Sequence, residues 1–152
     1  MLREAGVPIS GFVTREIREG RRRRGFRIET VAGEEGTLAR VGHRGGPRVG
    51  RYGVDLEAFE RIALPTLGGV PRGSVLVIDE LGKMELASKR FRDAVGALFA
   101  TDRRVVATVH AHPHPFTDEL KRRGDVEVER VTRSNRDALP GQILQTLLCD
   151  GR

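Results

Sequence analysis

Short apolar runs alternate with polar turns along this chain, and their spacing changes character partway through. Ile9–Ile17, Gly25–Val31 and Gly36–Val41 read as strands bounded by turn residues. The connections between them are short, with Gly20–Arg24 as the first, which predicts an antiparallel meander. Ahead of them, Leu2-Arg3-Glu4-Ala5 followed by Gly6 and Pro8 reads as the last turn of a helix with a C′ glycine. Four residues do not make a stable helix. The chain is therefore expected to begin inside one.

The second half takes a helical period. Val54 and Phe59 are spaced as a hydrophobic staple around an Asp55 N-cap, and Leu56, Phe59, Ile62 and Ala63 share one face. Pro65 and Gly68-Gly69 are expected to end that helix. Val75–Ile78 is a continuous apolar run, the pattern of a strand buried on both faces of a parallel sheet. Ser88 is placed to cap a helix whose Phe91, Ala94, Val95, Leu98 and Phe99 recur at helical spacing. A strand over Arg104–His110, a helix near Phe116–Arg123 and a strand over Val126–Val131 follow. Asn135 or Asp137 opens a polar turn, and Pro140 suits a first helical position before Ile143, Leu144, Leu147 and Leu148. Strand–helix alternation from Val75 onward predicts an α/β domain with a parallel sheet and right-handed crossovers.

Composition narrows the setting. The 152 residues are 38% hydrophobic and 32% charged, ordinary values for one globular domain. No apolar run reaches membrane-spanning length, and the N-terminal residues lack the apolar core of a signal peptide. The one cysteine, Cys149, has no internal disulfide partner, which fits a cytoplasmic protein. The net charge is +6, and only Lys83, Lys89 and Lys121 among 27 cations are lysines. Arg21–Arg24, between two strand-like segments, reads as a solvated hairpin tip. The basic balance admits nucleic acid as a partner, yet one tyrosine and six phenylalanines match no base-stacking pattern.

Asp79 and Glu80 close the Val75–Ile78 run, and strand ends of open α/β sheets are where ligands bind. In nucleotide hydrolases an aspartate here serves Mg²⁺ and a neighbouring acid orients the attacking water. Gly82 permits a tight loop after the strand, and Lys83 stands within reach of a phosphate or of the acids. No G-x-x-x-x-G-K-[ST] loop exists in the chain to hold a triphosphate. Gly45–Tyr52 imitates its glycine spacing, but Arg51 and Tyr52 replace lysine and the hydroxyl residue, and no buried strand precedes it. His110, His112 and His114 form H-x-H-x-H, a spacing that places imidazoles on one side of an extended segment. Pro113 and Pro115 interrupt it and no carboxylate or cysteine stands nearby in sequence, so a sheet-edge loop is the expected reading.

Six elements in order then carry a resemblance: G-F-V-T-R-E at Gly11–Glu16, G-F-R-I at Gly25–Ile28, V-G-R-Y-G-V-D at Val49–Asp55, V-I-D-E-L-G-K-M-E-L at Val77–Leu86, A-T-V-H at Ala107–His110 and N-R-D at Asn135–Asp137. Together they resemble the thermophile-type nucleoside-triphosphatases, a P-loop family that includes the cancer-related nucleoside-triphosphatase. The resemblance implies a three-layer αβα fold, its sheet mostly parallel with an antiparallel hairpin, in a single domain over residues 1–152. It implies slow, Mg²⁺-dependent hydrolysis of ATP or GTP. Asp79 would serve Mg²⁺ through water, and Glu80 would orient or deprotonate the attacking water. Lys83 would steady charge near the γ-phosphate, with Glu85 positioning it. Thr14 and Glu16 would approach the same cleft, and Asn135 and Arg136 would contact the base. Family members open with a strand, a phosphate loop and a helix, a unit absent from these residues. The chain is therefore expected to be nearly inactive by itself. The alternatives are a non-catalytic remnant binding protein or nucleic acid through its basic surface, or a small-molecule kinase. No membrane partner is expected, and the pattern leaves oligomeric state open.

Overall fold

In the computed structural model, which describes residues 2, 4–68 and 73–149, seven strands join one sheet. They are β1 (Ile9–Glu19), β2 (Arg22–Thr30), β3 (Glu35–Val41), β4 (Arg48–Val49), β5 (Tyr52–Val54), β6 (Val75–Leu81) and β7 (Arg104–Val109). The helices are α1 (Leu56–Leu67), α2 (Lys89–Leu98), α3 (Pro115–Lys121) and α4 (Leu139–Cys149). Strand order across the sheet is β4-β5-β3-β2-β1-β6-β7. The parallel part is the trio β1-β6-β7, with β6 in the middle, so the first strand of the predicted meander also pairs in parallel. The remaining pairings, β1-β2, β2-β3, β3-β5 and β4-β5, are antiparallel. The α/β class stands, but antiparallel pairing outnumbers parallel pairing instead of being confined to one hairpin. The cause is the short connections of the meander, which leave no length for crossovers.

Local sequence explains each element. Gly6 has φ +71°, and the Val7 N–H donates to the Leu2 carbonyl oxygen at 3.1 Å. That six-to-one bond around a left-handed glycine is the Schellman hydrogen bond, closing a turn at Gly6, with Arg3 outside the described residues. The Asp55 carboxylate accepts the Ala58 N–H at 2.9 Å and caps α1, and Val54 and Phe59 of the staple are both fully buried. Pro65 lies inside α1 and does not end it. In the final turn a proline forfeits only one backbone bond, and buried Leu67 with the Thr66 hydroxyl bonded to the Ala63 carbonyl (2.7 Å) holds the turn. Gly68 then stops it, and Gly69 lies outside the described residues. Ser88 Oγ accepts the Phe91 N–H at 3.0 Å and caps α2 as expected.

The core lies on the sheet face that α1 and α2 cover. Phe12, Phe59 and Phe91 meet pairwise with ring centroids 5.0–5.9 Å apart. Ile28, Leu76, Ile78, Val95 and Leu98 pack around them. Phe12 stands opposite Ile78 in the parallel register, and the next pair is Val13 with Asp79. Alternation therefore sends Phe12 and Ile78 to the aromatic core and Val13 and Asp79 to the opposite face. Val13, Val77 and Val106 on that face are only half-buried.

One expectation fails at the C-terminal side. Val126–Val131 forms no strand, and Val128 and Val131 are 52% and 63% exposed. A strand needs a neighbour for its N–H and C=O groups, and β7 ends the described sheet without reaching this segment. In α4, Leu139 precedes Pro140, Leu147 is buried, and Leu148 is 46% exposed. No described helix is long and apolar enough to cross a membrane.

Candidate active site

The strand-end acids sit at the C-terminal end of β6, between β1 and β7. Asp79 faces away from the aromatic core, and its Oδ1 accepts a hydrogen bond from the Thr108 hydroxyl of β7. Thr108 is absent from the sequence-derived candidates. Its signal was a hydroxyl two residues before the end of an apolar strand, in A-T-V-H. Glu80 follows Asp79 and is partly exposed.

Gly82 is the pivot of the turn that follows. A Cβ built there would lie 2.4 Å from Glu80 Oε1 and 2.8 Å from Glu85 Oε2. Both carboxyl groups therefore press on the space that only a hydrogen occupies. Glu85 opens a 3₁₀ turn, Glu85–Ala87, and its Oε2 accepts the Gly82 N–H at 3.2 Å. Glu85 is buried, and burial pushes its carboxyl up to about 7, with the nearby Glu80 and Asp79 adding to the rise. Its own N–H and that of Gly82 pull in the other direction. A buried, high-titrating carboxyl beside two strand-end acids makes this turn a candidate functional site.

The other candidates are placed less centrally. Lys83 is exposed on the same turn and makes no ion pair among the described residues. It borders a cavity of about 20 Å³ shared with Gly82, His110, His112, His114 and Thr117, room for about one water. Thr14 lies on β1 one residue beyond Val13, the partner of Asp79. Glu16 lies further along and is held by Arg18 (2.6 Å) and by Arg23, at the far end of the hairpin. Asn135 organises its own loop: its Oδ1 accepts the Thr132 N–H at 2.7 Å and its Nδ2 donates to the Arg130 carbonyl at 2.9 Å. Arg136 pairs with Asp137 at 3.5 Å. None of these bonds joins Asn135 or Arg136 to the strand-end acids.

The glycine-rich segment and the three histidines each take a structural place. The glycine-rich segment before α1 folds as the β4-β5 pair, and the capping carboxylate of Asp55 occupies the helix N-terminus where a phosphate would sit. The His110 and His112 rings stack 4.6 Å apart, while His114 Nδ1 caps α3 by accepting the Phe116 N–H at 3.2 Å. Among the described residues, no three His, Cys, Asp or Glu side chains are grouped to hold a metal.

Comparison with known proteins gives the same answer as the strand-end motif. A family model described as NTPase matches residues 1–144. Nucleoside-triphosphatase THEP1 of Thermotoga maritima is 39% identical over 148 residues, which are 97% of this chain and 83% of that protein. The human cancer-related nucleoside-triphosphatase is 41% identical over 153 residues, covering 91% of this chain and 80% of its own. The crystal structure of THEP1 from Aquifex aeolicus superposes with a TM-score of 0.87 at 34% identity, covering 96% of this chain and 87% of that one. The acids on β6, the sheet that presents them and the sequence around them thus converge, and the chain belongs to the NTPase family of enzymes that includes the thermophile and cancer-related nucleoside-triphosphatases.

Proposed function

We propose that this domain hydrolyses ATP or GTP to diphosphate and phosphate, with Asp79 and Glu80 as its Walker B acids. One observation carries the reading: both acids end the middle strand of a parallel trio, and a β7 hydroxyl already orients Asp79. Asp79 offers hard oxygen donors, one of them engaged by Thr108. A single carboxylate with no protein cage fits Mg²⁺, which keeps several waters and shares its shell with phosphate oxygens. When bound, Mg²⁺ would neutralise charge on the β- and γ-phosphates. Asp79 would hold a water of that shell. Glu80 orients the attacking water and takes its proton. Lys83 offsets charge at the γ-phosphate, and Glu85 fixes the turn that carries it. Thr14, with Glu16 beyond it, borders the substrate on the β1 side, and Asn135 and Arg136 contact the base. A cytoplasmic setting suits a chain whose one cysteine is free.

The phosphate-binding loop is the part these residues do not supply. The outer edge of β7 is unpaired among the described strands, and exposed Val128 and Val131 lie in the segment that finds no ladder. A strand bearing the loop fits that edge and would give residues 126–131 a neighbour. The matched relatives are longer, with about a fifth of the human protein outside the match. The 152-residue form alone is therefore nearly inactive. The test compares phosphate release from ATP and GTP, with and without Mg²⁺, by this chain and by a form extended with a strand–loop–helix unit. The extended form turns over and its Glu80→Gln variant binds fluorescent nucleotide without turnover. A Glu80→Gln variant as fast as its parent refutes the role of Glu80.

A further inference from the structure

The β1–β5 meander holds a charge imbalance that the acid-pair site does not use. Between Arg15 and Arg51 stand eleven arginines and five glutamates, with no lysine or aspartate. That excess of six equals the net charge of the whole chain, so the rest of the chain sums to zero. The glutamates engage Arg15, Arg18, Arg23, Arg24 and Arg27. Arg21, Arg22, Arg40, Arg44, Arg48 and Arg51 are exposed and have no carboxylate partner among the described residues.

The fold places three of these six, Arg40, Arg48 and Arg51. Arg40 of β3 stands opposite Gly25 on one side and Gly53 on the other, and Gly53 stands opposite Arg48. Residues directly opposite in a sheet project from one face. Arg40 and Arg48 therefore rise together from the face turned away from buried Ala39 and Val54, with side-chain-free glycines beside them. At the tip, Arg51 donates to the Arg23 carbonyl oxygen at 2.6 Å and ties the 43–51 loop to the hairpin. The Arg23 guanidinium lies 5.5 Å over the Phe26 ring, that of Arg51 5.2 Å over Tyr52, and the two rings meet edge to face at 5.3 Å. Side chains fixed this way lose less freedom when an anion arrives.

The chemistry selects the partner. Guanidiniums that rise side by side, as Arg40 and Arg48 do, suit repeated phosphates, which they grip bidentately. Phe26 and Tyr52, the aromatics of the meander, are covered by arginine and packed on the core, so no ring is free to stack an unpaired base. The large exposed apolar residues, Val109, Val128, Val131 and Leu148, all lie elsewhere, so the surface has nothing to insert into a lipid bilayer. We infer that the face carrying Arg40 and Arg48, opposite the Phe26 and Tyr52 rings, binds the phosphate backbone of double-stranded nucleic acid without reading its sequence. The inference is independent of the hydrolytic reading.

Fluorescence anisotropy tests it, with two DNA duplexes of unrelated sequence and one matching single strand. Both duplexes bind equally, and the single strand binds more weakly. Each phosphate contact contributes about −0.9 to the slope of log K against log salt, so four or so contacts weaken binding roughly 10²-fold between about 50 and 200 mM KCl. The double variant Arg40→Ala/Arg48→Ala reduces that slope by about 2. Arg61→Ala/Arg133→Ala, with the same charge change at exposed positions elsewhere, leaves it unaltered. Arg21→Ala/Arg22→Ala at the solvated turn repeats the loss if the first pair disturbs the sheet. Absence of duplex binding at about 50 mM salt, equal loss in the Arg61/Arg133 control, or tighter binding of the single strand or of anionic vesicles overturns the inference.

Discussion

Glu85 gives the sharpest quantitative test of the site. Its carboxyl titrates near 7 in the folded chain, against an ordinary value of 4.5, chiefly because burial penalises the anion. Folding therefore favours the protonated form. Below about pH 4.5 the group is neutral in both states and its contribution to stability is fully present. As pH rises toward 7 the unfolded chain gains the freedom to ionise while the folded chain resists, so stability falls. The full loss, reached above pH 7, is about 3 kcal/mol from the separation of the two titration points. Glu85→Gln keeps an oxygen to accept the Gly82 N–H and removes the titration. Urea unfolding of both proteins, followed by circular dichroism from pH 5 to 8, isolates the effect as a difference. Glu85→Gln should match the parent within about 1 kcal/mol at pH 5 and exceed it by roughly 2–3 kcal/mol at pH 8. A difference that stays constant across this range refutes the assignment of a buried, high-titrating carboxyl.

Three other perturbations follow from the same geometry. Gly82→Ala places a methyl against the Glu80 and Glu85 carboxyl groups, and overpacking of this kind costs about 1–3 kcal/mol in chemical denaturation; an unchanged midpoint would mean the turn is loose. Ser88→Ala removes the cap of α2 together with its 2.7 Å bond to Glu60 on α1, so a loss of about 1–2 kcal/mol is expected in the same assay. Phe91→Ala opens the fully buried aromatic trio and should cost about 3–5 kcal/mol, with a cost below 1 kcal/mol showing that the core collapses around the gap.

Legibility in the sequence tracked how local the deciding interaction is. The caps at Asp55 and Ser88 and the glycine turn at Gly6 are set within a few residues, and each was readable from spacing. The place of the β6 acids at a strand end was readable because a continuous apolar run ends in them. Thr108 was not readable: its value comes from β7 lying beside β6, a fact of topology. Burial of Glu85 was likewise hidden, since a glutamate between methionine and leucine shows its surroundings only after the turn at Gly82 closes. Val126–Val131 failed for the complementary reason. Its residues have the composition of a strand, but a strand is completed by its neighbour, and no described strand lies beside it.

Core and site share strands but divide their faces, and this limits what can go wrong in each. Phe12 and Ile78 point into the aromatic cluster, while their neighbours Val13 and Asp79 point away from it. Substitutions at Asp79 or Thr108 therefore leave the packed face untouched and register as changes in chemistry more than in stability. Glu85 breaks this separation. It is buried next to Leu86, a member of the core, yet its carboxyl feels Glu80 and Asp79 and holds the turn that carries Lys83. Charge at the acid pair is thus felt inside the fold. Glu80→Gln removes one of the charges that raise Glu85, so the pH at which Glu85 costs stability should move downward in that variant. Burial is the larger cause and persists, so the midpoint shifts without returning to 4.5. Unfolding curves that show the same pH midpoint with and without the Glu80 charge would mean that the two carboxyls are uncoupled and that Glu85 serves packing alone.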